Sequence, residues 1–232
     1  MFLMALYAIG DLHLSIGSDK PMDVFDGWDN YIDRLRDGFS KLGPEDVCVI
    51  CGDVSWGMSL QESLEDFRFI ASLPGRKIVL KGNHDYWWNT VSKMRAFFRG
   101  NGMDNIEILN NNSFDYEGAA VCGTRGWFFE EETGSDHDRK ILNRETLRLE
   151  ASLAAAGDAR EKIVFLHYPP VYKNYVCPEI IQVMKKHGVT SCWYGHIHSH
   201  GHRSAVTGLY DGIDYHLVSA DYVGFAPVMV RP

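Results

Sequence analysis

The strongest constraint in this sequence is a repeated local pattern in which a short apolar run ends in a polar cluster and, in several cases, a helical stretch follows. The runs are Ala5 to Ile9, Val47 to Cys51, Lys77 to Leu80, Ala119 to Cys122, Ile163 to Leu166 and Ser191 to Tyr194. Apolar runs of this length, bounded by turn signals, read as strands buried on both faces. Between them, Trp28, Ile32, Leu35, Phe39 and Leu42 step by four and three, which predicts one amphipathic helix. Ser59 with Glu62 forms a capping-box signal before Leu60, Leu64, Phe67 and Ile70, and Pro74-Gly75 stops that helix. A later helix carries Leu142, Leu149 and Leu153 and ends near Gly157, and another runs from Pro178 through Ile181 and Met184 to Gly188. Near the C-terminus, Val206 to Tyr210 and Ile213 to Val218 flank Asp211-Gly212, the signal of a type I′ hairpin. The alternation predicts a mixed-strand, layered α/β fold.

No repeat, low-complexity tract or linker divides the chain, so residues 1–232 are expected to form one domain. No apolar run approaches the roughly 20 residues that cross a bilayer, and Met1 to Ile9 lacks the basic flank and cleavage site of a signal peptide. No membrane partner is expected. Five cysteines, an odd number set largely in apolar runs, suit a reducing cytoplasm. Cys48 and Cys51 have C-x-x-C spacing but sit within a strand, where packing accounts for them better than redox chemistry. A net charge of -8 disfavours an extended nucleic-acid partner, while small anionic substrates stay open if the site itself is positive.

The ends of the apolar runs carry a pattern that core packing does not require. Asp11 and His13 follow the first run, Asp53 the second, Asn83-His84-Asp85 the third, His167 the fifth, and His196 with His198 the sixth. Each piece alone reads as readily as a turn, because Asp and Asn bond nearby backbone and tolerate unusual angles. Together they fall where strand carboxyl ends form a ligand crevice in α/β sheets, so separate segments deliver metal-binding groups to one place.

The ordered set D-x-H, G-D, G-N-H-D, H and G-H-x-H, here Asp11-x-His13, Gly52-Asp53, Gly82 to Asp85, His167 and Gly195-His196-x-His198, resembles the calcineurin-like metallophosphoesterases. Lys20-Pro21-Met22-Asp23-x-Phe25-x-x-Trp28 also resembles a bacterial subgroup of predicted phosphohydrolases within them. The resemblance implies a four-layer α-β-β-α sandwich of two mixed sheets flanked by helices. It implies two divalent ions, one held by Asp11, His13, Asp53 and His198 and the other by Asp53, Asn83, His167 and His196, with Asp53 shared. Oxygen donors mixed with neutral imidazoles suit manganese or iron, and also zinc. A hydroxide bridging the ions would attack a small phosphate ester, Asn83 would also contact substrate, and His84 would act as general acid with its ring held by Asp85. Capping of a helix over Tyr86 to Phe98 is the competing role for Asp85.

Arg125, after a strand in Gly123-Thr124-Arg125-Gly126-Trp127, is a candidate phosphate contact, with an ion pair as the plainer alternative. Trp56, Tyr86, Trp87, Trp88 and Trp127 are candidates for an aromatic wall, although core packing suits most of them. His200 and His202 fit outer or surface roles, because the ligand sets are already full. Ser15 to Trp28 and Glu130 to Asp138 are long connections that invite a lid role. A metal-dependent nuclease and a non-catalytic protein-binding scaffold of the same fold are the alternatives. The first requires a basic groove and the second missing ligands. The sequence shows every ligand present, and it leaves the oligomeric state open.

Overall fold

The computed structural model describes residues 4–128 and 135–232. The first half of the chain runs through β1 (Leu6–Ile9), α1 (Tyr31–Phe39), β2 (Val47–Ile50), α2 (Leu64–Ser72), β3 (Arg76–Val79), α3 (Val91–Gly100) and β4 (Ile106–Ile108). Helical crossovers make β1 to β4 parallel neighbours. The register sets Ile9 beside Ile50 and Ile50 beside Val79, so three carboxyl ends finish at one level.

The second half supplies β5 (Phe114–Tyr116), β6 (Ala119–Thr124), α4 (Asp136–Ala155), β7 (Glu161–Leu166), a small pair β8 (Val171–Tyr172) and β9 (Tyr175–Val176), and α5 (Pro178–Lys186). It continues through β10 (Ser191–Tyr194), a 3-10 segment at Ser199–Ser204, β11 (Gly208–Tyr210) and β12 (Ile213–Leu217). The second sheet has the order β11-β12-β10-β7-β6-β5, parallel at its centre and antiparallel at both edges. The last strand, β13 (Val228–Arg231), returns to pair antiparallel with β1.

Alternation within the strands decides the layering. Leu6, Ala8, Val49 and Ile78 of the first sheet meet Val121, Ile163, Phe165 and Trp193 of the second in one buried cluster. The opposite faces pack on helices, with Ile9, Ile50 and Val79 against α1, α2 and α3, and Val164, Leu166 and Tyr194 against α4 and α5. The result is the expected four-layer sandwich of two mixed sheets flanked by helices. No helix among the described residues is long and apolar enough to cross a membrane.

Several local expectations shift. The first helix begins at Tyr31 because Asn30 takes left-handed backbone at φ 51°, and Trp28 is buried ahead of it in a turn. Ser59 accepts the Glu62 N–H as a capping box would, but it closes a turn that leads into the helix, whose regular part begins at Leu64. The helix expected over Tyr86 to Phe98 is α3, which starts at Val91 with the Thr90 hydroxyl accepting from Lys93, so Asp85 does not cap it. The hairpin at Asp211-Gly212 forms with both residues at positive φ, as type I′ requires. Its second strand also pairs parallel with β10, extending the sheet. Of the two long connections, Ser15 to Trp28 is anchored by Met22 and Trp28 in the core. Much of Glu130 to Asp138 lies outside the described residues, and α4 starts at Asp136.

Candidate metal centre

The two sheets are tied where β1 and β12 end. Gly10 donates its N–H to Val218 O at 2.7 Å and accepts from Ala220 N–H at 2.9 Å. Loops from both sheets therefore open onto one point. Close approach there depends on glycine: a Cβ on Gly82 would strike the Asp53 side chain and backbone, and one on Gly195 would strike the Asp11 carboxylate. Asp11, His13, Asp53 and His196 all stand at positive φ, between 45° and 72°. Left-handed backbone costs a non-glycine residue about 1–2 kcal/mol, so four such positions in one cluster indicate a geometry held by its surroundings for a purpose.

Both carboxylates are oriented in the same way. Asp11 Oδ2 accepts the His196 N–H at 2.8 Å, which leaves Oδ1 buried without a hydrogen bond among the described residues. That free oxygen lies 3.5 Å from His198 Nε2 and 3.7 Å from His167 Nδ1. Asp53 Oδ1 accepts the His84 N–H at 2.8 Å, and its Oδ2 lies 3.5 Å from His167 Nε2 and 3.8 Å from His13 Nε2.

The imidazoles are also fixed. His167 Nδ1 lies 3.0 Å from Cys51 O, and a carbonyl only accepts, so the proton is on Nδ1 and Nε2 presents a lone pair. That nitrogen faces Asn83 Oδ1 at 2.6 Å and His196 Nδ1 at 3.2 Å, and His196 Nδ1 is 3.0 Å from the same amide oxygen. On the other side His198 Nε2 is 3.3 Å from His13 Nε2, while His198 Nδ1 is 2.9 Å from Asp221 Oδ1. Burial lowers His13, His167 and His196 to about 3, so their rings are neutral near pH 7. His198 differs: burial would lower it, but the negative charges of Asp11 and Asp221 outweigh burial and raise it to about 10. Burial, with Asp85 and Asp11 nearby, raises Asp53 well above the ordinary carboxylate range.

The structure thus gathers Asp11, His13, Asp53, Asn83, His167, His196 and His198 with their potential ligand atoms turned toward one another. Asp11, His13 and His198 form one group whose donor atoms all lie within 4.8 Å, and Asp11, Asp53 and His167 form another. Carboxylate and amide oxygens set this closely among imidazole nitrogens in a buried site suit divalent transition ions. Asp53 Oδ2 lies between His13 and His167, and Asp11 takes part in both groups.

One expectation needs correction. Asp85 does not hold the His84 ring. Its oxygens accept backbone N–H groups of Gly82, Asp53 and Val54 at 2.6, 2.9 and 2.8 Å, and Trp87 Nε1 at 2.9 Å. It is a buried anchor joining two ligand loops, and His84 Nδ1 is buried without a hydrogen bond among the described residues. Arg125 Nη2 lies 3.4 Å from Glu145 Oε1 with its guanidinium over the Trp127 ring, while its Nε is buried without a hydrogen bond among the described residues.

Around the centre, Trp56 stacks on His13 with ring centroids 5.0 Å apart, whereas Trp87 is core. His202 Nε2 lies 3.3 Å from Asp221 Oδ2, an outer position, and His200 is exposed. Asp221 is the site residue that sequence reading missed. Its signal was available: it follows Val218-Ser219-Ala220 at the end of β12, as Asp11 and Asp53 follow their strands.

The fold and motifs have known counterparts. A structure titled as a phosphopantetheinyl hydrolase from Mycobacterium tuberculosis superposes with TM-score 0.60 at 14% identity, covering 98% of this chain and 96% of that one. A protein of unknown function from Aquifex aeolicus, AQ665, gives TM-score 0.52 at 17% identity over 97% of this chain and 95% of its own. No curated protein matches the chain. The calcineurin-like phosphoesterase family matches residues 4–200, a span that contains the seven converging side chains, so the chain belongs to that family and is a phosphoester hydrolase.

Proposed function

We propose that the centre holds two divalent ions, manganese or iron in preference to zinc, and that the protein hydrolyses small phosphomonoesters or phosphodiesters with His84 donating the proton to the leaving oxygen. One ion is assigned to Asp11, His13, Asp53 and His198, and the other to Asp53, Asn83, His167 and His196. When bound, such a pair neutralises phosphoryl charge and supplies a water whose pKa is lowered from about 15.7 toward about 7. The observation that carries this reading is the Asp11 carboxylate: one oxygen is fixed by His196 N–H and the other is buried, unbonded and aimed at the imidazoles.

The chain's own residues supply the rest. Cys51 O fixes the tautomer of His167, so its free nitrogen points inward before any ligand arrives, and Asp221 holds the His198 ring through Nδ1 so that Nε2 faces the cluster. The His84 ring sits 4.6 Å from Trp56 and 5.8 Å from His13, half-buried at the rim. Burial lowers its pKa, and an arriving phosphate anion raises it again, which favours a proton on the ring when substrate is present. Five unpaired, buried cysteines support a cytoplasmic setting. The return of β13 to β1 supports one working unit over residues 1–232.

The test is metal-reconstituted protein assayed on bis-aryl phosphate, aryl monophosphate, cyclic nucleotides and phosphoprotein, with chelator controls. Chelator-sensitive hydrolysis of a small ester is expected. Protein that carries two ions by elemental analysis yet turns over nothing in the panel would overturn the reading.

A further inference from the structure

A basic cleft adjoins the metal centre and has no part in the chemistry above. Lys81 directly precedes Gly82 and Asn83. Arg125 follows β6, and its carbonyl accepts the backbone N–H groups of His167 and Tyr168 at 3.1 and 2.8 Å. With Ile141, Arg144, Glu145 and Arg148 from α4, these two residues line a cavity of about 230 Å³. The cleft is thus built on residues next to two of the assigned ligands.

Its charge is unbalanced. Glu145 is buried and fully engaged, accepting from Thr124 Oγ1 at 2.6 Å and pairing with Arg148 Nη1 at 2.7 Å and Arg125 Nη2 at 3.4 Å. Two cations therefore neutralise and orient it, and Lys81 and Arg144 form no ion pair among the described residues. Arg125 Nε is buried without a hydrogen bond among those residues. Four cations around one carboxylate leave about three positive charges in a chain whose net charge is -8. An ion-pair network built only to satisfy Glu145 needs neither Lys81 nor Arg144. Arginine forks and a lysine point charge converging on one cavity are the chemistry that binds phosphate.

We propose that this cleft holds a second phosphate of the substrate, one that is bound and not cleaved, so that the preferred substrates are small molecules carrying two phosphate groups. The inference rests on the phosphohydrolase reading for the reaction, but the cleft can be tested apart from it. The probes are alkanediol bisphosphates from propanediol to octanediol, each compared with its monophosphate. Lys81→Gln/Arg144→Gln is the informative variant, because neither residue pairs with Glu145 and the buried carboxylate keeps its partners. Wild-type, metal-loaded protein is expected to favour a bisphosphate of suitable length in kcat/KM by about tenfold or more, the scale of one charge-assisted contact. The variant is expected to lose that ratio, and calorimetry should show a matching loss of bisphosphate affinity. Equal kcat/KM for both classes at every length, or a ratio that survives in the variant, overturns the proposal. If the loaded protein hydrolyses neither class, the reaction fails and calorimetry alone decides the cleft: bisphosphates binding no tighter than monophosphates would refute it.

Discussion

Asp221 Oδ1 lies 2.9 Å from His198 Nδ1, and the opposite nitrogen of the same ring faces His13 Nε2 at 3.3 Å. A carboxylate behind a ligating imidazole fixes its tautomer and raises its basicity, and losing such a partner typically weakens metal binding by about 10–100-fold. Asp221→Asn is therefore expected to reduce affinity for the ion at Asp11, His13 and His198 by about that factor, read by titration of metal into stripped protein. Unchanged affinity would show that Asp221 serves the Ser199 backbone, whose N–H it also accepts at 3.0 Å, and His202 rather than the metal centre.

The same pair gives a pH dependence. His198 without metal titrates at about 10, above an unfolded value of about 6.5, so near pH 7 the folded, metal-free ring carries a proton. Coordination requires the neutral ring, so loading should release a proton and affinity should rise about tenfold per pH unit until about pH 10. The sign for stability is opposite in the metal-free protein. This contribution is fully present below about pH 6.5 and is lost as pH rises through about 10. Calorimetry in buffers of differing ionisation enthalpy counts the released protons, and a pH-independent affinity between pH 7 and 9 would contradict the assignment.

His84 separates chemistry from metal holding. Its backbone N–H fixes Asp53, but its ring nitrogens form no hydrogen bond with the cluster among the described residues, where Nδ1 is buried and unbonded. His84→Ala keeps the backbone donor, so both ions should still bind while turnover falls by about 10²–10⁴, the usual contribution of a positioned acid. The loss should be smaller on substrates with a good leaving group. Elemental analysis beside steady-state kinetics checks this, and loss of metal in the variant would place His84 among the ligands.

How much of this was legible in the sequence depends on the range of the interaction. Strand-end polar residues are local signals, and all seven proposed ligands were found because each follows an apolar run. The central strands were legible for the same reason. Edge strands β4, β5 and β13 were not, because IEI, FDY and VMVR are too short to stand out from loops, and long-range pairing makes them strands. Side-chain partners were least legible. Asp85 stands beside His84 in sequence, so a pairing between them is the natural reading. In space its carboxylate turns away toward Asp53 and Val54, some thirty residues earlier. Arg125 meets Glu145 across twenty residues for the same kind of reason, because α4 packs over the end of β6.

The revised role of Asp85 can be distinguished from the expected one. Oδ2 accepts from Gly82 and Asp53, and Oδ1 accepts from Val54 and Trp87, so each oxygen meets at least two donors. In Asp85→Asn an amide NH₂ must replace one oxygen, and either orientation sets it against two N–H groups that then lack an acceptor in a buried site. Each unsatisfied buried group costs about 1–3 kcal/mol, so a loss of about 2–5 kcal/mol is expected in urea unfolding of the metal-free protein. Because Asp85 joins the Gly82 loop to the Asp53 loop, metal affinity should fall along with stability. If Asp85 acted instead by holding the His84 ring, the variant would keep its stability and its ions and lose only kcat. The unfolding midpoint and the metal content of Asp85→Asn therefore decide between an anchor of the ligand loops and a partner of the acid.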